Sequence, residues 1–114
     1  MTINEYQQLA QRTSNNALTQ GEHVINGALG LCGEAGEVAD LVKKAYVQGH
    51  TIDRKRICEE LGDVCWYLAE MATALGESLE SIMERNIAKL RRRYPEGFDA
   101  ERSKHREGER ECHD

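Results

Sequence analysis

The sequence predicts an all-α protein, and three observations carry that reading. Apolar residues recur by fours and threes through the middle of the chain, the single proline is Pro95, and aromatics make up 5% against 31% charged residues. No segment shows a convincing strand alternation.

Each element has its own local cause. Thr2 and Glu5 have capping-box spacing, so a first helix opens near Thr2 and runs through EYQQLAQRT. The polar stretch Ser14, Asn15, Asn16 ends or bends it. Thr19 and Glu22 repeat the cap spacing and start a second helix that reaches about Gln48, with Gly49 as its stop. Its apolar stripe is Val24, Ala28, Leu31, Ala35, Val38, Val42 and Ala45. Gly27, Gly30, Gly33 and Gly36 interrupt that helix, each costing about 0.8–1 kcal/mol of propensity relative to alanine. Close helix–helix approach is the plainest reason for them, and a local break in the helix is the alternative. A phosphate loop is disfavoured, since neither G-x-G-x-x-G nor G-K-[S/T] is present.

Asp53 caps a third helix from about Arg54 to Leu75, with the stripe Ile57, Leu61, Val64, Leu68, Met71 and Leu75 and Gly76 closing it. Ser78 caps a fourth, which holds Leu79, Ile82, Met83, Ile87 and Leu90 and ends at Tyr94-Pro95. Four amphipathic helices on short connections make an antiparallel, four-helix-bundle-like fold. Residues 1–98 are expected to form one helical domain, and 99–114 a weakly ordered charged tail with only Phe98 as an anchor.

The bulk numbers exclude several classes. A net charge of −5 argues against a general nucleic-acid or anionic-membrane binder. No apolar run approaches the roughly 20 residues that span a bilayer. The opening MTINEYQQ lacks the features of a signal peptide, so a cytoplasmic location is expected. Cys32, Cys58, Cys65 and Cys112 contain no C-x-x-C pair and read as free thiols, buried at Cys58 and Cys65, in a reducing compartment; a zinc site is a poor second. Cys112 and His113 sit in the charged tail, His23 reads as a helix-face residue and His50 as a loop residue. A domain this small buries a modest core, which invites a partner chain.

The chemistry concentrates in carboxylates. Glu34 and Glu37 lie one turn apart on the second helix, and Glu60 and Asp63 one turn apart on the third. Each stands one residue before a stripe member, so both pairs flank an apolar seam where antiparallel helices would bring them together. Converging carboxylates repel, and a hard divalent cation relieves the conflict; an all-oxygen set favours Mg2+, with Mn2+ as a substitute, over zinc or copper. Ordinary surface charge is the competing reading, as for Asp40 with Lys43 or Lys44. A di-iron bundle is excluded because no Glu has His three residues later.

The fourth helix adds positive charge. RNIAKLRRRYP, from Arg85 to Pro95, has five basic residues and no acid, and Asn86, Lys89 and Arg93 share a face suited to polyphosphate. Complementing the macrodipole explains Arg91 to Arg93 equally well, but Asn86 and Lys89 less so. Tyr67, one turn beyond Asp63, could stack on a nucleobase, with Trp66 as the neighbouring candidate and core packing as the alternative for both.

LGLCGEAGEVADLVKK, EELGDVCWYLAEM and SLESIMERNIAKLRRRYPEGF together resemble the MazG-like, all-α nucleoside triphosphate pyrophosphohydrolases. That family's pattern is E-x-x-E, a spacer, then E-x-x-D. Glu34, Glu37, Glu60 and Asp63 fill it with 22 residues between Glu37 and Glu60, and the N-x-x-K and R-Y-P elements follow. The resemblance implies hydrolysis between the α- and β-phosphates of a nucleoside triphosphate, giving monophosphate and pyrophosphate. It implies magnesium on Glu34, Glu37, Glu60 and Asp63, with Glu34 or Glu37 readying the water. Asn86, Lys89 and Arg93 would bind phosphates or sugar. A homodimer or homotetramer, with sites near subunit interfaces, is also implied. Relatives of the same skeleton act on dUTP, dCTP or phosphoribosyl-ATP, and Gln8, Arg12 and Thr13 fit the short MazG-like pattern without an assigned role. A non-catalytic bundle that binds nucleotide or a protein partner, or serves only for oligomerisation, is the rival expectation.

Overall fold

The computed structural model of the chain describes residues 1–105. Cys112, His113 and the end of the expected tail lie outside the described residues. Within them the fold is all-α, as the periodicity predicts: α1 (Ile3–Ala10), a 3-10 turn (Gln11–Thr13), α2 (Gln20–Tyr46), α3 (Arg54–Ala74), α4 (Leu79–Arg93) and α5 (Ala100–Lys104). The chain divides into two compact units, Met1–Leu79 and Glu80–Asp114.

Three of the helix starts follow the expected caps. The Thr2 hydroxyl accepts from the Glu5 amide, and Thr19 and Glu22 form a full capping box, each side chain taking the other's backbone N–H. Asp53 accepts from the Arg56 amide at the head of α3. The glycine stops are genuine: Gly49 at φ 75° and Gly76 at φ 70° take the left-handed conformation that ends a helix cheaply only without a Cβ. In the segment expected to be a weakly ordered tail, Asp99 caps the short α5, and the Arg102 guanidinium donates to the Arg93 and Arg92 carbonyls at 2.5 and 3.3 Å, satisfying the end of α4.

In the first unit α2 and α3 pack antiparallel, with Gly27 against Met71 and Gly30 against Tyr67. This rotates the seam by one residue from the expected stripe. His23, Gly27, Gly30 and Glu34 carry the contact; of the expected stripes Val24, Leu31, Val38 and Ala45 on α2 and Ile57, Val64, Leu68 and Met71 on α3 are half-buried, while Ala28, Ala35, Val42, Leu61 and Leu75 are exposed. The cause is space: a glycine surface lets the bulky Tyr67 and Met71 of α3 approach the α2 backbone, which an alanine ridge would hold away. Gly33 and Gly36 have open space where a Cβ would stand, so close packing explains two glycines of the four.

The buried apolar core is small: Ala10, Ala69, Ala72 and Leu79, with Tyr6, Trp66 and Leu68 packed against it. Polar ties compensate. Buried Gln7 donates to Thr73 Oγ1 (3.1 Å) and the Glu77 carbonyl (2.9 Å) and accepts from the amide of Leu79 (2.7 Å), so one side chain joins α1 to the α3–α4 turn and caps α4. The Trp66 indole N–H reaches the Ala10 carbonyl and Thr13 Oγ1 at 3.1 and 2.8 Å. That gives Thr13 a structural role, and places Trp66 against α1.

Candidate active site

Glu34 leaves α2 on the seam face, and Glu60 and Asp63 leave α3 one turn apart opposite it. One carboxylate oxygen from each lies within 4.8 Å of the others, a spacing that a single cation could bridge. Glu34 and Glu60 are half-buried and Asp63 is exposed. Glu37 stands one turn further along α2, exposed and outside this trio, yet close enough for its charge to act on Glu34. The expected set of four therefore resolves into three convergent carboxylates and a neighbour.

The electrostatics record the crowding. The Glu34 carboxyl is pushed up from 4.5 to about 7, first by sharing a hydrogen bond with Glu60, then by desolvation and the charges of Glu60, Asp63 and Glu37. Raised in this way, the carboxyl keeps its proton where an isolated glutamate would have lost it, because the neighbouring carboxylates disfavour another negative charge. The donors are all oxygens, which fits a hard divalent ion. By contrast Asp40 is an ordinary surface acid, held below its usual range by Lys44 at 2.8 Å and Lys43 at 3.5 Å.

Aromatic groups border the cluster. The Tyr67 ring lies over Gly30 and meets Trp66 edge-on, with centroids 5.0 Å apart. Tyr6 on α1 comes close enough to feel Cys65 and Asp63, and its phenol is pushed up by burial and then by those two groups. In the second unit Asn86 and Lys89 line an open cleft of about 470 Å3 with Arg85 and Arg92. Arg93 is not among its walls.

Some residues stand where the sequence pattern does not put them. His23 is a seam residue rather than a plain helix-face one: its Nδ1 lies 2.7 Å from Glu70, which is only 5% exposed and also accepts from the Ser14 hydroxyl at 2.9 Å. The signal was available, since His23 lies on the Gly27–Gly30–Glu34 face and Glu70 lies two turns after Asp63. Cys32, Cys58 and Cys65 are free, as expected, but exposed rather than buried, because the rotated seam turns them outward.

An all-α fold carrying an acidic trio across an antiparallel helix pair defines a class of helical proteins with convergent carboxylates. A family model for the MazG nucleotide pyrophosphohydrolase domain matches residues 24–98, and the chain belongs to that family. The "Gene 37 protein" of Mycobacterium phage L5 is 40% identical over 73 residues, which cover 60% of this chain and 64% of the phage protein. No solved structure matches the chain. No helix among the described residues is long and apolar enough to cross a membrane.

Proposed function

We propose that this chain hydrolyses (deoxy)nucleoside triphosphates to the monophosphate and pyrophosphate, with Mg2+ as cofactor and Mn2+ as a substitute. The observation that carries the reading is the convergence of Glu34, Glu60 and Asp63 within 4.8 Å in a member of the MazG family. These three residues would hold the cation, which would supply neutralisation of the charge on the leaving pyrophosphate. Glu37, exposed and one turn from the trio, is the carboxylate left to orient a water and take its proton. Tyr67 borders the site from the seam, and on α4 Asn86, Lys89 and Arg93 bind phosphate or sugar oxygens. The unpaired thiols suit a cytoplasmic setting.

We also propose that the chain works as a homodimer or homotetramer. Ile25, Leu29 and Tyr46 on α2 and Val47 just after it are 61–76% exposed, a run of large apolar side chains that a partner chain would cover. Light scattering should report a multiple of the 12.9 kDa chain mass, and Leu29→Glu should reduce it.

The reaction is tested by incubating the protein with a triphosphate panel, including dUTP and dCTP, and scoring pyrophosphate against phosphate. The expected result is pyrophosphate release that requires Mg2+ and is lost in Glu37→Gln and in Asp63→Asn. Phosphate as the only product, or activity that survives both substitutions, would overturn the mechanism. Nucleotide-dependent thermal stabilisation without turnover would instead favour a binding module.

A further inference from the structure

One face of α3 carries Arg56, Glu60, Asp63, Tyr67 and Glu70, at steps of four and three residues in turn. From the head of the helix this gives a cation, the two α3 carboxylates of the trio, an aromatic ring and a third carboxylate. Arg56 stands roughly 6 Å before Glu60 and roughly 10 Å before Asp63 along the axis. A long, flexible arginine side chain can cover that gap to a group held at the trio.

The usual reasons for an arginine at such a position do not apply to Arg56. It is exposed, and its side chain forms no ion pair among the described residues. A cation in the first turn opposes the helix dipole, and α3 has no acid there to offset it. Glu60, the partner four residues on, shares its hydrogen bond with Glu34 instead. The charges that act on Glu34 are those of Glu60, Asp63 and Glu37, all carboxylates. On α2, Lys43 and Lys44 are both taken by Asp40, at 3.5 and 2.8 Å. Arg56 therefore keeps its charge beside carboxylates that it does not pair with, and an anion held between them would engage both.

The seam also sets a direction. Past the trio, toward the C-terminal end of α3, it is closed by Tyr67 on Gly30 and Met71 on Gly27, with the Glu70 carboxylate beyond. A polyphosphate extending that way meets packed side chains and a like charge. The other way runs along the exposed edge marked by Asp63 and reaches Arg56. We infer that Arg56 grips the terminal phosphates of the substrate, so that the polyphosphate runs from the trio toward the head of α3 and triphosphates are favoured over diphosphates. The inference rests on the hydrolysis proposed above and deepens it. A guanidinium forks onto two phosphate oxygens and cannot lose its charge, so it would hold the β- and γ-phosphates as they leave together. A diphosphate offers that fork one phosphate fewer.

The test titrates the full chain with inorganic pyrophosphate and Mg2+ by calorimetry, a readout that does not depend on turnover. Arg56→Gln should weaken binding by about tenfold or more, and Arg56→Lys by less, since an ammonium keeps the charge without the fork. Lys55→Gln removes the same charge from the same turn, about 100° round the helix, and should weaken binding by less than about threefold. Arg56→Gln should also lower the kcat/KM preference for a triphosphate over its diphosphate by about tenfold. No binding by the wild type, unchanged binding in Arg56→Gln, or an equal loss in Lys55→Gln would overturn the inference. If Arg56→Gln alone weakens pyrophosphate binding but no triphosphate yields pyrophosphate, the hydrolysis fails and the phosphate grip stands. If triphosphates yield pyrophosphate and Arg56→Gln alters neither binding nor preference, the grip fails and the hydrolysis stands.

Discussion

Glu34 and Glu70 lie on the same α2–α3 seam, yet their surroundings differ in kind. Glu70 is 5% exposed and has neutral or positive company: a serine hydroxyl at 2.9 Å and a histidine nitrogen at 2.7 Å. Glu34 is half-buried among Glu60, Asp63 and Glu37, and its carboxyl is pushed up to about 7. One glutamate is satisfied by the protein and fastens the segment before α2 to α3. The other is crowded by like charges, which favour its protonated form. The contrast separates a carboxylate with hydrogen-bonding partners from one crowded by like charges.

Substitutions at the two ends should therefore act with opposite signs. The largest expected effect is on turnover: Glu34→Ala should reduce pyrophosphate release by about 100-fold or more. The same variant should unfold at higher urea than wild type when metal is withheld, because it removes one member of a repelling trio. Glu70→Ala should do the reverse for stability, costing about 1–3 kcal/mol in urea titration as His23 and Ser14 lose their partner. Equal losses of stability at both positions would break the comparison.

Between the two ends, the glycines sharpen it. A Cβ on Gly30 would overlap the Tyr67 ring, whereas one on Gly27 would meet the Met71 side chain at 2.5–2.7 Å. A rigid ring must shift bodily, but a methionine can change rotamer. Gly27→Ala should therefore be more stable than Gly30→Ala by about 1–3 kcal/mol, read from paired urea curves.

The smallest effect is a pH dependence. The folded-state value of Glu34 lies above its ordinary 4.5, so the folded protein keeps a proton that the unfolded chain has released. Metal-free wild type should lose stability relative to Glu34→Gln as pH rises from 4.5 to about 7, with a level difference above that. Mg2+ should shrink the difference by stabilising the folded wild type. A difference of the opposite slope would remove the reading of Glu34 as the frustrated member.

Much of this molecule is decided locally, and those parts were legible. Thr2, Thr19 with Glu22 and Asp53 start helices because their side chains reach amides only a few residues away. Gly49 and Gly76 stop helices by their own backbone freedom. The pairing of Glu34 with Glu60 and Asp63 was visible too, because one-turn spacing puts carboxylates on one side of each helix. The failures share a cause. Of the stripe Val24, Ala28, Leu31, Ala35, Val38, Val42 and Ala45, hydrophobicity places Val24, Leu31, Val38 and Ala45 correctly as half-buried but not Ala28, Ala35 and Val42, because the seam is set by which surface lets Tyr67 and Met71 approach, and that depends on the partner helix.

The sequence by itself determined the helices, their ends and the one-turn carboxylate pairs, because capping, propensity and periodicity act within a few residues. Tertiary structure alone decided the rotation of the seam, the joining of α1 to the α3–α4 turn by Gln7, and the meeting of Ser14, His23 and Glu70. It also separated Glu37 from the other three acids. Those outcomes depend on distances between residues far apart in the chain, and such distances exist only once the helices have packed.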